Sequence, residues 1–483
     1  MSFQARLGLK RIRNRDAILI TILCLIQIAA FKTAAEAQNN PNDSIVKVYT
    51  VRCTFDYFAH WNKNAQELIS GSGCIIGSDE ILTNAHVVAD AVVIQVSRAG
   101  AAEKFIAKVK AVAHDCDLAI LKVDEARFFQ GASPLGIGEL PKLQEEVTVY
   151  GFPKGGEELC ITKGIVSRVE QRRYAHSGAK LLCCQIDAPI NSGNSCGPVI
   201  SNGRVVGVAF QSLDGQNISY IVPAPLINRF LQDIRNAGYG GVPSLEIDWQ
   251  PLENPDLRAM HGLEEDASGV LVKHVFPGSP AEGILQPGDI VLAVEGTKVA
   301  CDGTIEFRKG ERTQFEHLIH RKFIGNSVSI DILRRSKTIK SEIRLSVPIN
   351  HCRLVPFDQY DMEPKYFIVA GLVFQPLTSN YLKAVWGKEE YYPPNLEYYY
   401  RFAVPEQDRR EVVVLTMVIA DRTNVGYHDL ENRVMISVNG IRISRTEDLI
   451  KAVEESQNRY HVFVDEQATE IVLDRTKLPK NVS

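Results

Sequence analysis

The feature that most constrains the fold is a series of short apolar runs that recur between turn residues from Ser44 to about Ile234. Many runs are β-branched and are bounded by Gly, Asn, Asp or Pro, which is the spacing typical of an all-β domain. The clearest runs are Ile45–Val51, Gly73–Ile76, Val92–Val96, Leu118–Val123, Val147–Tyr150, Ile165–Val169 and Val205–Phe210. The sequence therefore predicts a β-rich barrel domain.

A helical pattern ends this domain. The apolar residues that share one helical face are Leu226, Ile227, Phe230, Leu231 and Ile234. Residues 236–243 (NAGYGGVP) follow and predict a loop or linker by composition. We therefore expect the first folded unit to cover residues 44–240.

Composition bounds the class of protein. The 483 residues suggest roughly three domains at about 150 residues each. Hydrophobic residues make up 45% and charged residues 23%, which excludes wholesale disorder. The net charge of -4 lacks the basic excess of a dedicated nucleic-acid binder, so we expect no nucleic-acid partner. The 10 cysteines are scattered without a CxxC pair, which argues against a disulfide scaffold, a zinc ribbon or a thioredoxin-type site.

The N-terminus, residues 1–37, has the pattern of a targeting segment. A basic start precedes an uncharged run over residues 17–31, and residues 35–37 (AEA) form an A-x-A pattern. This order fits a cleavable secretory signal, and the Arg-rich, acid-poor start also fits a transit peptide. The run is shorter than the ~20 residues that span a bilayer comfortably, so we expect no stable span in the mature chain. Without Cys24 nine cysteines remain, an odd number that favours a compartment with reduced thiols.

Three short stretches inside the first unit carry the residue types of nucleophilic catalysis. They contain, in chain order, His86 after an apolar run, Asp117 at the start of another, and Ser195 in a glycine-rich turn. A serine hydroxyl is a weak nucleophile and needs an imidazole to take its proton. The imidazole in turn needs a carboxylate that fixes its tautomer, a role for Asp117 with Asp115 as the alternative. Backbone N–H groups of Gly193 and Ser195 can meet a developing oxyanion.

These stretches resemble the HtrA/Deg (Do-like) serine proteases, most closely the plant Deg branch, over roughly residues 44–480. The strings that carry the resemblance are GSGCIIGSDEILTNAHVVAD, HDCDLAILKVD, ITKGIVSRVE, INSGNSCGPVI and VVGVAFQ, followed by YIVP. The resemblance implies a mostly β fold, in which a chymotrypsin-like double β-barrel protease domain precedes two α+β PDZ-like domains.

The resemblance also implies a role for each site residue. His86 matches the general base, Asp117 the orienting acid and Ser195 the nucleophile, while Gly193 and Ser195 match the oxyanion-hole amides. The substrate-binding residues that match the segment beside the S1 pocket are Tyr220, Ile221 and Val222. That pocket accepts small aliphatic residues in the family. Segments 152–160 and 168–184 correspond to its mobile regulatory loops.

One departure from the family pattern follows the nucleophile, where Cys196 stands in place of the usual glycine. If this position needs a positive φ, a Cβ costs on the order of 1–2 kcal/mol and could displace the neighbouring amide. If φ is negative, the thiol simply packs as a small hydrophobe. The sequence leaves both readings open, together with a redox-sensitive gate on the nucleophile.

Residues 244–348 resemble a PDZ domain of the protease-associated type, because a strand, a turn and a small helix precede Gly288-Asp289 and another strand. In its carboxylate loop (residues 244–247, SLEI), Glu246 replaces the usual glycine and would repel a chain terminus. The histidine pair of residues 317–322 (HLIHRK) predicts a solvated helix face, with a metal pair as the alternative. Residues 352–480 resemble the second, divergent PDZ module of plant Deg proteins, and residues 391–400 (YYPPNLEYYY) predict either a contact surface or an ordered loop.

The resulting prediction is an ATP-independent serine endopeptidase that cuts unfolded or damaged proteins, without cofactor or metal. No Walker A, HExxH or GxGxxG motif is present. The resemblance implies trimers or multiples of trimers, with residues 55–61 as a candidate contact, and a mitochondrial matrix location. The alternatives are a secretory location or a membrane anchor through residues 17–31. The alternative function is a catalytically silent homologue, disabled by Cys196, that acts as a peptide-binding chaperone or scaffold.

Overall fold

The computed structural model describes residues 41–478 except 154–155, 191–195, 214–217, 237 and 265–266. The predicted targeting segment, residues 1–37, lies outside the described residues. In the described part of the chain, no helix combines the length and apolar character that crossing a bilayer requires. Short 3₁₀ turns occur at Pro41–Ser44, Ala126–Phe129, Glu389–Tyr391 and Arg475–Lys477.

Six strands form a first closed barrel, in the order β1-β2-β3-β6-β5-β4. They are β1 (Ile45–Arg52), β2 (Glu67–Ile75), β3 (Glu80–Thr83), β4 (Ala91–Arg98), β5 (Phe105–Ala113) and β6 (Leu118–Val123). One helical turn, α1 (Ala85–Val88), follows β3. β-branched and aromatic side chains fill the interior, among them Val46, Val96 and Phe128. Closure of the barrel removes the exposed strand edges that an open sheet would leave.

A second closed barrel follows, in the order β10-β11-β12-β9-β8-β7. Its strands are β7 (Glu146–Gly151), β8 (Cys160–Arg173), β9 (Lys180–Ile186), β10 (Pro198–Ser201), β11 (Arg204–Leu213) and β12 (Ile218–Pro223). The predicted helix is α2 (Ala224–Asn236), which buries Leu226, Ile227 and Phe230. The two barrels confirm the predicted double β-barrel. Most of residues 168–184, expected as a regulatory loop, is instead the paired hairpin of β8 and β9.

The first PDZ-like module places an edge strand beside a short helix. Its sheet contains β13 (Ile247–Pro251), β14 (Val270–Val275), β15 (Ile290–Val294), β16 (Thr297–Lys298), β19 (Ser327–Arg334) and β20 (Lys337–Arg344). A separate hairpin joins β17 (Thr304–Arg308) to β18 (Glu311–Gln314), and the helices are α3 (Pro255–Met260) and α4 (His317–His320). β13 lies at the sheet edge. The prediction of a solvated histidine face was wrong, because His317 and His320 on α4 are both buried.

The second PDZ-like module is another sheet flanked by helices. Its strands are β21 (Phe367–Val369), β22 (Leu372–Pro376), β23 (Val413–Val418), β24 (Arg433–Val438), β25 (Ile441–Arg442), β26 (Tyr460–Asp465) and β27 (Glu470–Asp474). Its helices are α5 (Ser379–Trp386), α6 (Pro394–Arg401) and α7 (Thr446–Glu454). The tyrosine-rich stretch of residues 391–400 forms most of α6, where Tyr400 is buried and Tyr398 is exposed. Residues 345–366 between β20 and β21 are called the connector below.

Candidate active site

Strand pairing brings two distant residues together at one end of the first barrel. β3 and β6 are antiparallel with Thr83 opposite Ala119, so the end of β3 lies beside the start of β6. His86 lies on α1, directly after β3, and Asp117 immediately precedes β6. His86 and Asp117 are 31 positions apart in the chain, and β4, β5 and their loops lie between them. The barrel fold therefore juxtaposes the two residues that the sequence paired.

The Asp117 carboxylate holds His86 at two points. Oδ2 of Asp117 is 2.8 Å from Nδ1 of His86, and Oδ1 accepts the backbone N–H of His86 at 2.9 Å. The side chain of Asn84 donates to the backbone oxygen of Asp117 at 2.6 Å. A carboxylate at Nδ1 favours the tautomer that carries its proton on Nδ1, which leaves Nε2 as an acceptor. This is the state that a general base requires.

The electrostatics of the pair favour an ionised carboxylate. Asp117 is buried, which alone raises its pKa, but the His86 imidazole, together with His176 and the backbone N–H of His86, outweighs burial and lowers it. Burial likewise lowers the pKa of His86, while the Asp117 carboxylate and then the Cys196 sulfur raise it to well above its ordinary value of 6.5. The pair therefore stabilises the imidazolium that forms when a base accepts a proton.

Cys196 lies directly against this pair. Its φ is 75°, in the left-handed region that favours glycine. The residue is 1% exposed, and its Sγ is 3.2 Å from Nε2 of His86. Of the two readings left open by the sequence, the structure supports the one with a positive φ, and the thiol is buried as well. The buried thiol therefore contacts the imidazole of His86 instead of packing only against hydrophobic side chains.

The structure describes only some of the other predicted site residues. Gly193 and Ser195 lie outside the described residues. The three residues beside the predicted S1 pocket, Tyr220, Ile221 and Val222, lie on β12 between β11 and β9, and all three are buried. Ile221 packs inside the second barrel, while Tyr220 and Val222 belong to the core between the barrels. Their contact with substrate stays a prediction.

Two histidines near His86 were missing from the predicted site. The ring of His176 is 6.2 Å from that of His86, centroid to centroid. Nδ1 of His114 is 2.9 Å from Nε2 of His176, so one nitrogen donates to the other. Burial lowers the pKa of His176 to about 4, so the ring is neutral near pH 7. The proximity of His114 to Asp117 in the chain was a usable signal, whereas nothing local marked His176.

The connector contacts these histidines from the far end of the chain. The Tyr360 ring stacks on His176 at 4.0 Å, and its hydroxyl donates to the backbone oxygen of His176 at 2.8 Å. Oδ2 of Asp361 is 2.9 Å from Nε2 of His114. Asp361 and Asp90 exchange backbone N–H to carboxylate hydrogen bonds of 2.6 and 2.8 Å. The connector therefore lies close to the His86–Asp117 pair, and no pattern in the sequence indicated this contact.

Glu246 of the first PDZ-like module forms hydrogen bonds with the connector. Its φ is 50°, and its carboxylate accepts the backbone N–H groups of Asn350 and Cys352, both at 3.0 Å. Burial raises the pKa of Glu246 despite these two amides. The predicted repulsion of a chain terminus requires a carboxylate that faces the peptide site. In the structure, the Glu246 carboxylate instead accepts hydrogen bonds from the connector. A cavity of about 200 Å³ lies beside it, lined by Trp249 of β13 and His320 of α4 among others.

Within the described residues, no group of three or more His, Cys, Asp or Glu side chains has the arrangement of a metal site. The described part of the site offers the chemistry of the His86–Asp117 pair and of the Cys196 thiol.

Comparisons with known families match three parts of the chain. A trypsin-like peptidase domain matches residues 71–208, and two PDZ domain models match residues 243–345 and 355–482. The matches agree with the order of one protease-type unit and two PDZ-like modules described above.

Two plant relatives and one solved structure are similar over most of their length. Protease Do-like 2, chloroplastic, of Arabidopsis thaliana is 38% identical over 438 residues, 90% of this chain and 71% of the relative. Protease Do-like 4, mitochondrial, of Arabidopsis thaliana is 38% identical over 453 residues, 90% of this chain and 84% of the relative. The HtrA-type protease AlgW, solved with a tripeptide, is 25% identical with a TM-score of 0.51, covering 65% of this chain and 96% of that one.

Proposed function

Because the chain belongs to the Do-like (HtrA/Deg) serine protease family, we propose that it is a serine endopeptidase with Ser195 as nucleophile, His86 as base and Asp117 as orienting acid. The observation that carries the proposal is the 2.8 Å contact between Nδ1 of His86 and Oδ2 of Asp117. It leaves Nε2 as an acceptor that faces residue 196, the immediate neighbour of Ser195. Consecutive Cα atoms are about 3.8 Å apart, which supports Ser195 as the residue this base serves.

The proposed reaction follows from these groups. Nε2 of His86 takes the proton of the Ser195 hydroxyl as its oxygen attacks the scissile carbonyl carbon. Asp117 stabilises the imidazolium, and the backbone N–H groups of Gly193 and Ser195 bind the oxyanion. His86 then gives the proton to the leaving amine, and water hydrolyses the acyl-enzyme with His86 again acting as the base.

The proposed substrates are unfolded or damaged polypeptides, cut without ATP in protein quality control. A protease that cuts extended polypeptides needs a surface that binds them. In the first PDZ-like module, β13 lies at the edge of its sheet and offers such a surface. A peptide accompanies AlgW in its structure, which supports peptide binding in this family. Tyr220, Ile221 and Val222 are proposed to shape the S1 pocket for small aliphatic residues through the backbone of β12.

Domain limits, assembly and location complete the proposal. The units are residues 44–240 for the protease, 244–348 for the first PDZ-like domain and 352–480 for the second. The chain assembles as a trimer or a multiple of trimers, which multi-angle light scattering would test. A mitochondrial matrix location is supported by the name of one similar relative and by the basic N-terminus, although another relative is named chloroplastic. Fusion of residues 1–40 to a fluorescent protein would test it.

The silent-homologue alternative rests on Cys196 and its positive φ. The intact His86–Asp117 contact and the similarity to proteases over 90% of the chain favour the active enzyme.

The test of the proposal is covalent labelling of the full chain with a fluorophosphonate probe, run beside digestion of casein. We expect both to occur, and both to vanish in Ser195→Ala, which keeps the fold but removes the nucleophile. If a folded wild-type chain neither labels nor digests casein, the proposal of an active protease is wrong. Labelling that persists in Ser195→Ala would assign the nucleophile to another residue.

A further inference from the structure

The sulfur of Cys196 lies where the attacking atom of a nucleophile would lie when it gives its proton to His86. The Sγ atom is 3.2 Å from Nε2 of His86, within hydrogen-bond distance for sulfur. The opposite nitrogen, Nδ1, is already held by Asp117 at 2.8 Å. The imidazole is therefore bound on both sides by side chains of the folded protein. A nucleophile, a base and an orienting acid in this geometry form the usual chain of proton transfer.

The backbone and the core fix the thiol in this place. The N–H of Cys196 donates to the backbone oxygen of Ala209 at 2.6 Å, and the N–H of Ala209 donates to Gly197 at 3.0 Å. The side chain belongs to the hydrophobic cluster inside the first barrel and is 1% exposed. The space beside it exists because Gly71 has no side chain. A Cβ there would lie 3.4 Å from Sγ and 2.6 Å from a methyl group of Val87.

Nε2 of His86 makes one hydrogen bond at a time, as the acceptor in the neutral ring or as the donor in the imidazolium, so its contact with the Cys196 sulfur excludes contact with the Ser195 hydroxyl. The hydroxyl of Ser195 must reach the same nitrogen to lose its proton. We propose that Cys196 is a positioning residue of the peptidase reaction, whose thiol holds Nε2 of His86 and must be displaced before His86 can activate Ser195. This inference rests on the proposed function and adds a residue to it. It differs from the silent-homologue alternative, because the thiol slows the reaction without abolishing it.

The charges around His86 make the contact measurable. The titratable groups that face the imidazole are Asp117, Cys196 and, at 6.2 Å between ring centroids, His176. Burial lowers the pKa of His86, while Asp117 and then Cys196, whose sulfur can accept the Nε2–H of the imidazolium at 3.2 Å, raise it. Loss of the thiol should therefore lower the pKa of His86, whereas loss of a remote thiol should not. A merely structural role for Cys196 would leave the titration of His86 unchanged.

The experiment compares Cys196→Ala and Cys196→Gly with the matched control Cys74→Ala, which removes another buried thiol of the first barrel. Cys196→Ala keeps the Cβ at positive φ, and Cys196→Gly also relieves the backbone. We expect both to label with the fluorophosphonate about fivefold faster, the factor that one hydrogen bond of ordinary net strength represents. The control should label at the wild-type rate. Acceleration in Cys196→Gly alone would identify backbone strain as the cause and overturn the inference.

A second readout needs no activity. Histidine-selective ¹⁵N labelling of the full chain, with His86→Gln to assign the signal, gives the pKa of His86 in each variant. We expect the pKa to fall in Cys196→Ala and to stay at the wild-type value in Cys74→Ala. An unchanged pKa in a folded Cys196→Ala overturns the inference, whether or not the chain labels. A lowered pKa without labelling in any variant keeps the thiol contact and overturns the proposed protease function instead.

Discussion

A single carboxylate, Asp117, decides the properties of the proposed base. It has a left-handed backbone with a φ of 54°, which aspartate tolerates better than most residues. That conformation accompanies contacts of the carboxylate with both the ring and the backbone N–H of His86. The imidazole lowers the pKa of Asp117, and the carboxylate raises that of His86. Each partner thus stabilises the charged form of the other.

Asp117→Asn tests this coupling through pH. A base works only when neutral, so wild-type activity should appear as the pH rises through the raised pKa of His86 and fall away below it. The amide removes the charge that raises this pKa, so the acid limb of the variant should move to lower pH. Its maximal rate should drop about 10³–10⁴-fold, because the amide favours the wrong tautomer. Rates of fluorophosphonate labelling against pH give both quantities.

An acid limb at the wild-type position in Asp117→Asn would contradict the assignment of Asp117 as the partner of His86. Asp115→Asn is the matched control, because Asp115 was the alternative acid. Asp115 instead bonds the Tyr239 hydroxyl at 2.5 Å and the Val242 N–H at 2.6 Å. Its substitution should affect stability and leave the acid limb in place.

At the scale of elements, the connector is held against the turn between β8 and β9. Tyr360 stacks on His176 of that turn, and Phe357 covers Gly178. Arg353 and Arg173 lie over the Phe357 ring at 3.9 and 5.3 Å, within the range of cation–π contacts. The turn that carries His176 therefore packs against the chain that enters the second PDZ-like module.

Gly178→Ala tests this packing. Gly178 has a φ of 67°, and a Cβ would lie 2.7 Å from the Phe357 ring. The matched control is Gly203→Ala, since Gly203 has a φ of 72° with nothing within 4 Å of its Cβ. The control should lose about 1 kcal/mol of unfolding free energy from backbone strain alone. Gly178→Ala should lose a further 1–3 kcal/mol or so from overpacking.

Urea denaturation measures both losses, and limited proteolysis reports whether the connector becomes accessible. Equal losses in the two variants would show that Phe357 moves aside freely and that the connector is not held there. A larger loss in Gly178→Ala with new cleavage between residues 345 and 366 is the expected result.

Across the whole molecule, the second PDZ-like module shares its core with the start of the protease unit. Tyr57, soon after β1, belongs to the same buried cluster as Leu354 and Tyr381. Nε2 of His60 is 2.5 Å from Oε1 of Gln375, and Nε2 of Gln375 donates to the backbone oxygen of Tyr57 at 3.3 Å. Part of residues 55–61, considered above as an oligomer contact, is therefore engaged within the chain.

Tyr57→Ala should consequently destabilise the distant second module. Tyr57 is 8% exposed and its neighbour Phe58 is 44% exposed, so Phe58→Ala is the matched control. Truncation of the buried ring should cost about 3 kcal/mol, and that of the exposed ring no more than about 0.5 kcal/mol. Calorimetry should show the transition of the second module shifted to lower temperature in Tyr57→Ala. Equal shifts in the two variants would contradict the shared core.

The sequence by itself determined the features that depend on local pattern. Short apolar runs between turn residues, many of them β-branched, predicted the barrel strands, and helical spacing predicted α2 near its observed limits. The sequence strings around His86, Asp117 and Ser195 carried the resemblance to the family. These predictions succeed because strand and helix formation depends on residues that are near one another in the chain.

Only the tertiary structure decided what surrounds the base. It places the Cys196 thiol at Nε2 of His86, turns Glu246 toward the connector and stacks Tyr360 on His176. The partners in these contacts are about 100 to 180 residues apart in the chain. Their side chains meet because separately formed units pack together, and no periodicity within a short window records that packing. The direction of the Cys196 side chain depends in addition on a positive φ that its residue type disfavours.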